Sequence, residues 1–114
     1  MADCLFCRIV AGEIPSDRVH EDDLVIAFRD IAPRAPTHIL VIPRAHIASA
    51  AELTEADGPL LGRLFGAAAL VAREQGIADA GYRLVTNVGR WGGQTVDHLH
   101  LHLMGGRPFD WPPG

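Results

Sequence analysis

Between Gln94 and Met104 the chain reads Gln-Thr-Val-Asp-His-Leu-His-Leu-His-Leu-Met, so His98, His100 and His102 alternate strictly with Leu99, Leu101 and Leu103. In an extended strand successive side chains point to opposite faces, which puts the three leucines on a core face and the three imidazoles together on the other. Same-face neighbours then stand about 6.6 Å apart at Cα, two steps of roughly 3.3 Å, and adjacent rings reach one small ligand or ion. Imidazoles titrate near neutrality and suit nucleophilic or acid–base work on a phosphate. His-x-His on a strand is also zinc-ligand spacing, so a metal centre built from the three histidines stands beside that reading.

The rest of the chain supplies a frame for such a strand. Residues 5–11 read as a short helix stopped by Gly12, and residues 18–20 and 24–28 as a hairpin about the Glu21-Asp22-Asp23 turn. The two prolines within residues 30–36 exclude regular structure there, whereas residues 37–43 carry the Ile, Leu and Val of a central strand. Its faces are His38, Leu40 and Ile42 against Ile39 and Val41. Over residues 58–75, Leu61, Leu64, Phe65, Ala68, Val71 and Ala72 recur at helical spacing, with Asp57 as cap, Pro59 in the first turn and Gly76 as stop. Residues 82–87 predict another strand, 88–93 a glycine-rich loop, 95–104 the histidine strand and 105–114 an irregular tail. Strands with one long and one short helix make the class α+β, with an antiparallel sheet in a single domain of 114 residues.

Composition narrows the function. With 48% hydrophobic and 21% charged residues the chain is globular, and a net charge of −4 provides no basic field for nucleic acid or an acidic membrane. The expected partner is a small molecule. All ten cationic residues are arginines, so a catalytic lysine is excluded. No stretch resembles a leader or a membrane span, and a cytoplasmic location is expected. Cys4 and Cys7 form a Cys-x-x-Cys that opens the chain, where a redox motif would follow a strand. Half of a four-ligand zinc site and a pair of plain buried thiols are the readings left.

The run His98-Leu-His-Leu-His-Leu-Met104 resembles the signature of the histidine-triad (HIT) superfamily of nucleotide hydrolases and transferases. The likeness extends over nearly the whole chain. Asn87, Gly92-Gly-Gln-Thr-Val96, Gly105-Gly-Arg107, Phe28-Arg-Asp-Ile31, Ala35-Pro-Thr-His-Ile-Leu-Val-Ile-Pro43 and the final Trp111-Pro-Pro-Gly114 resemble the Hint branch, the purine nucleoside phosphoramidases. That resemblance implies a HIT-like fold and a homodimer whose sheets join, with the tail, residues 105–114, near the partner's site. It implies His100 as nucleophile, with His38 beside its ring, His102 on the phosphate oxygens and Thr95, where many members carry serine, on the leaving atom. Backbone amides of Gly93 and Gln94 are expected to hold the phosphoryl oxygens, and Asn87 the phosphate or ribose side. Asp30 is expected to bind the ribose hydroxyls, and Leu5, Phe6, Ile9, Ile14, Phe28 and Ile31 to surround the purine. Bacterial relatives further imply a structural zinc on Cys4, Cys7, His46 and His98. His20 matches nothing in that pattern and is expected to be a surface loop histidine.

Three functions follow. The first is hydrolysis of the P–N bond of a purine nucleoside phosphoramidate through a nucleotidyl-histidine, with other nucleotide or dinucleoside polyphosphate chemistry of the same superfamily as its variant. The second is a zinc hydrolase using the strand histidines as ligands, and the third a nucleotide-binding regulator without turnover.

Overall fold

The computed structural model describes residues 4–114; the first three residues of the stretch read for a leader lie outside them. The elements are α1 (Leu5–Val10), β1 (Arg18–Glu21), β2 (Val25–Arg29), β3 (Thr37–Pro43), α2 (Gly58–Glu74), β4 (Arg83–Val85), α3 (Gly89–Gly92) and β5 (Leu101–Gly105). The strands form one antiparallel sheet in the order β1-β2-β3-β5-β4.

The central strands are buried on both faces. Ile39 and Val41 of β3, Val25 and Ala27 of β2, and Leu99, Leu101 and Leu103 pack beneath Leu64, Ala68, Val71 and Ala72 of α2. On the opposite face Ile26, Phe28, Leu40 and Ile42 meet Phe6 and Ile9 of α1. The leucine face of the histidine segment is therefore the core face, as its alternation predicts.

Several boundaries differ from the sequence pattern, each for a local reason. The histidine strand pairs only from Leu101, because residues 96–98 bend and Leu99 donates its N–H to the carbonyl of Ile47 at 2.6 Å rather than to a sheet neighbour. Asp57 does not cap α2; its carboxylate accepts from Thr54 N–H at 2.9 Å and closes a capping box on the preceding 3-10 turn, Glu55–Asp57. Phe65, expected on the apolar face of α2, is 49% exposed. The loop over 88–93 contains the helical turn α3. His20 lies on β1 rather than in a loop and bonds Asp22 Oδ2 at 3.0 Å. Gly12 and Gly76 do stop their helices, at φ of +78° and +74°, a region where a side chain is strained.

Among the described glycines, Gly105 has the least room for a side chain. A Cβ built there would lie 2.7 Å from Ile77 Cδ1 and 2.9 Å from Ile77 Cβ, against a residue that is itself 6% exposed. Gly105→Ala should cost about 1–3 kcal/mol through overpacking. Gly62, in the exposed interior of α2 with nothing within 4 Å of a Cβ, provides the opposite case: Gly62→Ala should gain roughly 0.5–1 kcal/mol. Urea unfolding of both variants checks the pair, and equal midpoints would refute the packing argument.

Candidate active site

The site is built where β3, β5 and α1 converge, and its first component lies at the N-terminus of α1. Cys4 is the N-cap, and its sulfur accepts from Cys7 N–H at 3.3 Å, which turns both thiols to the same side. His46 approaches from the segment after β3, with Nδ1 3.3 Å from Cys7 Sγ. His98 approaches from the bend before β5, with Nδ1 3.3 Å from Cys4 Sγ and 3.5 Å from Cys7 Sγ. All four ligand atoms lie within 4.8 Å of one another, so the group could hold a metal ion.

The donor set fits zinc. Tetrahedral bonds of about 2.3 Å to sulfur and about 2.0–2.1 Å to nitrogen separate S and N by about 3.5 Å, the scale of the contacts here. The other nitrogen of His98, Nε2, lies 2.8 Å from the carbonyl of Pro43. A carbonyl only accepts, so Nε2 carries the proton and Nδ1 presents its lone pair to the sulfurs, the outer-shell arrangement typical of a ligating histidine. Burial pushes the His98 pKa down, opposed by its bond to Pro43, and keeps the ring neutral. Burial, then the neighbouring Cys4, pushes the Cys7 thiol up, so a bound cation must displace its proton.

The same backbone logic fixes the tautomers of the other rings. His100 Nδ1 lies 2.7 Å from the carbonyl of His98; it donates there, leaving Nε2 with a free lone pair. His38 Nδ1 accepts the backbone N–H of Arg34 at 2.9 Å, so its Nε2–H donates to His102 Nδ1 at 2.9 Å. His102 must then carry its proton on Nε2. One ring thus offers a lone pair and its neighbour an N–H, with centroids 5.0 Å apart.

Electrostatics agree with neutral rings. The His102 pKa is pushed down to about 4, chiefly by burial and then by His100 and His38. Burial also lowers His38, opposed by Asp30, whose Oδ2 lies 3.5 Å from His38 Nε2.

The pairing of His38 with His102 corrects the expectation that His38 supports His100. In the β3–β5 register His38 stands opposite Met104 and Leu40 opposite His102, so His38 and His102 are diagonal neighbours on one face. His100 lies one same-face step farther on, before the ladder begins, and takes its partner from its own backbone. The three triad histidines also do not converge on a single ion. His98 joins the cysteines, His102 groups with His38 and Asp30, and His100 belongs to neither set.

Beside His100 and His102 opens a cavity of about 230 Å³. Its walls include all six apolar residues expected around a base, Leu5, Phe6, Ile9, Ile14, Phe28 and Ile31, together with Asp30 and Thr95. Phe6 meets His100 edge-on at 5.1 Å, which walls off the four-ligand end. Leu40, Ser16 and Val96 also line it and were missed. Leu40 was readable from its alternation with His38, whereas Ser16 and Val96 sit on loops whose path has no periodicity.

The glycine-rich loop behaves differently from expectation. Gly93 N–H bonds Arg90 O at 3.2 Å and Gln94 N–H bonds Gly89 O at 3.1 Å, closing α3, so neither amide is the free donor anticipated for phosphoryl oxygens. Gly93 takes φ +84° as the C-cap. The Gln94 side chain ties the loop down, donating to Ala48 O at 2.7 Å and to Val96 O at 3.0 Å and accepting from Gly89 N–H at 2.9 Å. Asn87 lines an adjoining hollow, on the other side of His102 from the apolar cavity.

Comparison with known proteins agrees with this architecture. A HIT-domain family model matches residues 11–109. An uncharacterized HIT-like protein of Synechococcus elongatus is 53% identical, covering 98% of this chain and 97% of that one. The purine nucleoside phosphoramidase of Escherichia coli K12 is 51% identical over 92% of this chain and 88% of its own. Among solved structures, a HIT family hydrolase from Legionella pneumophila superposes with a TM-score of 0.96 at 51% identity, covering 98% of this chain and all of the other (100%). A histidine triad protein from Clostridium difficile gives 0.93 at 40% identity, covering 96% of each chain. With its histidine face, its sheet order and these relatives in agreement, the chain belongs to the HIT-domain family.

Proposed function

We propose that this protein hydrolyses the P–N bond of purine nucleoside phosphoramidates. The observation that carries the reading is the pair of fixed tautomers at the end of an apolar cavity: a free lone pair on His100 Nε2 beside an N–H on His102 Nε2. The 51% identity to the phosphoramidase of E. coli supports it. His100 Nε2 attacks the α-phosphorus, the P–N bond breaks with its electron pair leaving on nitrogen, and the amine takes up a proton. Water then attacks the nucleotidyl-histidine, the phosphorus–imidazole bond breaks, and a nucleoside monophosphate departs. His102 donates to a phosphoryl oxygen on which charge accumulates, and Thr95 hydrogen-bonds the leaving nitrogen. Phe6, Ile9 and Phe28 hold the purine, and Asp30 accepts from the ribose hydroxyls.

The four-ligand group at the N-terminus of α1 holds zinc in this reading. Two sulfurs and two nitrogens fill a tetrahedron, so the ion cross-links α1, the segment after β3 and the approach to β5 and leaves no position open for substrate. The protein is a homodimer. Its three-residue strand β4 ends the sheet, and Trp111 in the tail is 84% exposed, a costly face for a lone subunit and a natural cross-subunit contact. Among the described residues no helix is long and apolar enough to cross a membrane, and Cys4 and Cys7 are unpaired thiols; both fit a cytoplasmic location.

Rapid-quench labelling with a radiolabelled nucleoside phosphoramidate tests the mechanism. Wild type should label on His100. His100→Ala should neither label nor turn over, falling beyond the roughly 10²–10⁴-fold typical of losing a general acid or base, while nucleoside monophosphate still binds. Labelling by the variant would overturn the assignment. The same assay on a 2′,3′-dideoxy substrate reads Asp30: the preference for ribose should largely vanish in Asp30→Ala.

Metal analysis of protein purified without chelator should find one zinc per chain. Cys4→Ser combined with Cys7→Ser should lower Tm by at least about 5 °C, roughly 1 kcal/mol at this size, while the folded fraction keeps most of its turnover. Chelation that abolishes catalysis and spares the fold would instead place the metal in the reaction.

Sedimentation at micromolar concentration should give twice the 12.3 kDa chain mass. A fully active monomer would refute the dimer.

A further inference from the structure

The amide of Gln94 has its orientation settled by its partners. Its oxygen accepts from Gly89 N–H at 2.9 Å, and its nitrogen donates to Ala48 O at 2.7 Å and to Val96 O at 3.0 Å. The opposite orientation would set an oxygen against two carbonyls and a nitrogen against an N–H, so one assignment alone satisfies all three contacts. Both N–H groups of the amide are used inside the protein, and the side chain offers no donor to a substrate.

The bond to Val96 spans Thr95. It runs from the side chain of residue 94 to the carbonyl of residue 96 and closes a ring around the residue between them, while Gln94 N–H bonds Gly89 O at 3.1 Å. The backbone is therefore held on both sides of Thr95, which lines the cavity with His100 and His102. A β-branched residue has few χ1 rotamers, so the direction of the threonine hydroxyl follows its backbone. The bond to Ala48 extends the frame. Ala48 is itself held, through its N–H to Glu52 Oε1 at 3.0 Å, and the preceding carbonyl, that of Ile47, accepts Leu99 N–H at 2.6 Å just before His100. Thr95 and His100 thus take their positions from adjacent carbonyls of one segment.

We propose that Gln94 is a positioning residue for departure of the leaving group. Through Val96 and Ala48 it holds Thr95 so that the threonine hydroxyl donates to the leaving nitrogen as the P–N electron pair develops there. The inference rests on the phosphoramidase reading for its chemistry. Gln94 itself bonds neither nucleotide nor phosphorus; it acts through Thr95. Its effect is selective for that reason: a nitrogen that departs as an amine needs the hydrogen bond, whereas a nitrophenolate, stable as an anion, departs without it.

Steady-state turnover of adenosine 5′-phosphoramidate and of the 4-nitrophenyl ester of adenosine 5′-phosphate tests the assignment, together with calorimetric binding of adenosine monophosphate. Gln94→Glu keeps the length and the acceptor for Gly89 but removes both donors, and Gln94→Met removes them without adding charge. Each should lower kcat for the phosphoramidate about tenfold, the scale of one hydrogen bond to the leaving atom, and for the ester by less than about threefold. KM and nucleotide affinity should remain within about twofold of wild type, because the ground-state contacts are kept. Thr95→Val should show the same selectivity, and Gln94→Met combined with Thr95→Val should be no slower than Thr95→Val alone, since both act through one contact. Hydrogen exchange over residues 94–96 should quicken in both Gln94 variants, a readout independent of turnover. Equal losses on the two substrates, additive losses in the double variant, or unchanged exchange would overturn the proposal. A wild type that hydrolyses the ester and not the phosphoramidate retires the phosphoramidase reading, and exchange then decides by itself whether Gln94 holds Thr95. A wild type that hydrolyses both, with variants indifferent to the leaving group, retires the role of Gln94 and leaves the phosphoramidase reading standing.

Discussion

Three rings of this site, those of His38, His98 and His100, take their tautomers from the backbone. A neutral imidazole has one donor and one acceptor, and nothing in its covalent structure says which nitrogen is which. Here the carbonyl of His98 takes the proton of His100 Nδ1, the carbonyl of Pro43 takes that of His98 Nε2, and the N–H of Arg34 occupies the lone pair of His38 Nδ1. From those three contacts the rest follows without further choice. His98 turns a lone pair toward two sulfurs, His100 turns one toward the cavity, and His38 forces the proton of His102 outward. Burial adds its share by keeping His38, His98 and His102 uncharged, so the donor and acceptor pattern persists at neutral pH.

Much of this frame could be read from residue types. The alternation of Leu99, Leu101 and Leu103 identifies a buried face, β3 is apolar at every inward position, and α2 shows its spacing in Leu64, Ala68, Val71 and Ala72. The residues expected around a base do line one cavity, because Phe6 and Ile9 on α1 meet Phe28 on β2 across the sheet. What could not be read depends on register and backbone path. Whether His38 meets His100 or His102 turns on a shift of two residues between β3 and β5. That the amides of Gly93 and Gln94 close a helical turn follows from a left-handed glycine, and the composition of a glycine-rich loop does not say which turn it forms. Phe65 fits the apolar period of α2 but is 49% exposed, which the period alone does not distinguish from a core position.

The bend before β5 is where fold and chemistry meet. A continuous strand over residues 95–104 would put His98, His100 and His102 in one row, the geometry of a three-histidine metal site. Instead, Leu99 gives its N–H to Ile47, and the chain enters the ladder only at Leu101. That single departure frees His98 to turn toward Cys4 and Cys7 while its carbonyl remains in place for His100. One residue thus makes two contacts with two different groups: its ring belongs to the four-ligand cluster and its carbonyl holds the ring of His100. The leucines hold both in position, since Leu99, Leu101 and Leu103, all following the bend, stay in the core beneath α2.

The site falls into two halves, the four-ligand group at one end and His100 with the cavity at the other. Phe6 stands between the halves, edge-on to His98 at 5.9 Å and to His100 at 5.1 Å. It belongs to α1, whose N-terminus carries the two cysteines, so the four-ligand group and the wall of the cavity are joined through one short helix by direct packing. A short helix of six residues would be marginal by its own hydrogen bonds. Its stability has to come from what it packs against and from what holds its first turn. The Cys-x-x-Cys spacing meets both needs: it caps the helix through a sulfur–amide bond and presents two sulfurs to the histidines of the sheet, so α1 is fixed in the position from which Leu5, Phe6 and Ile9 line the cavity.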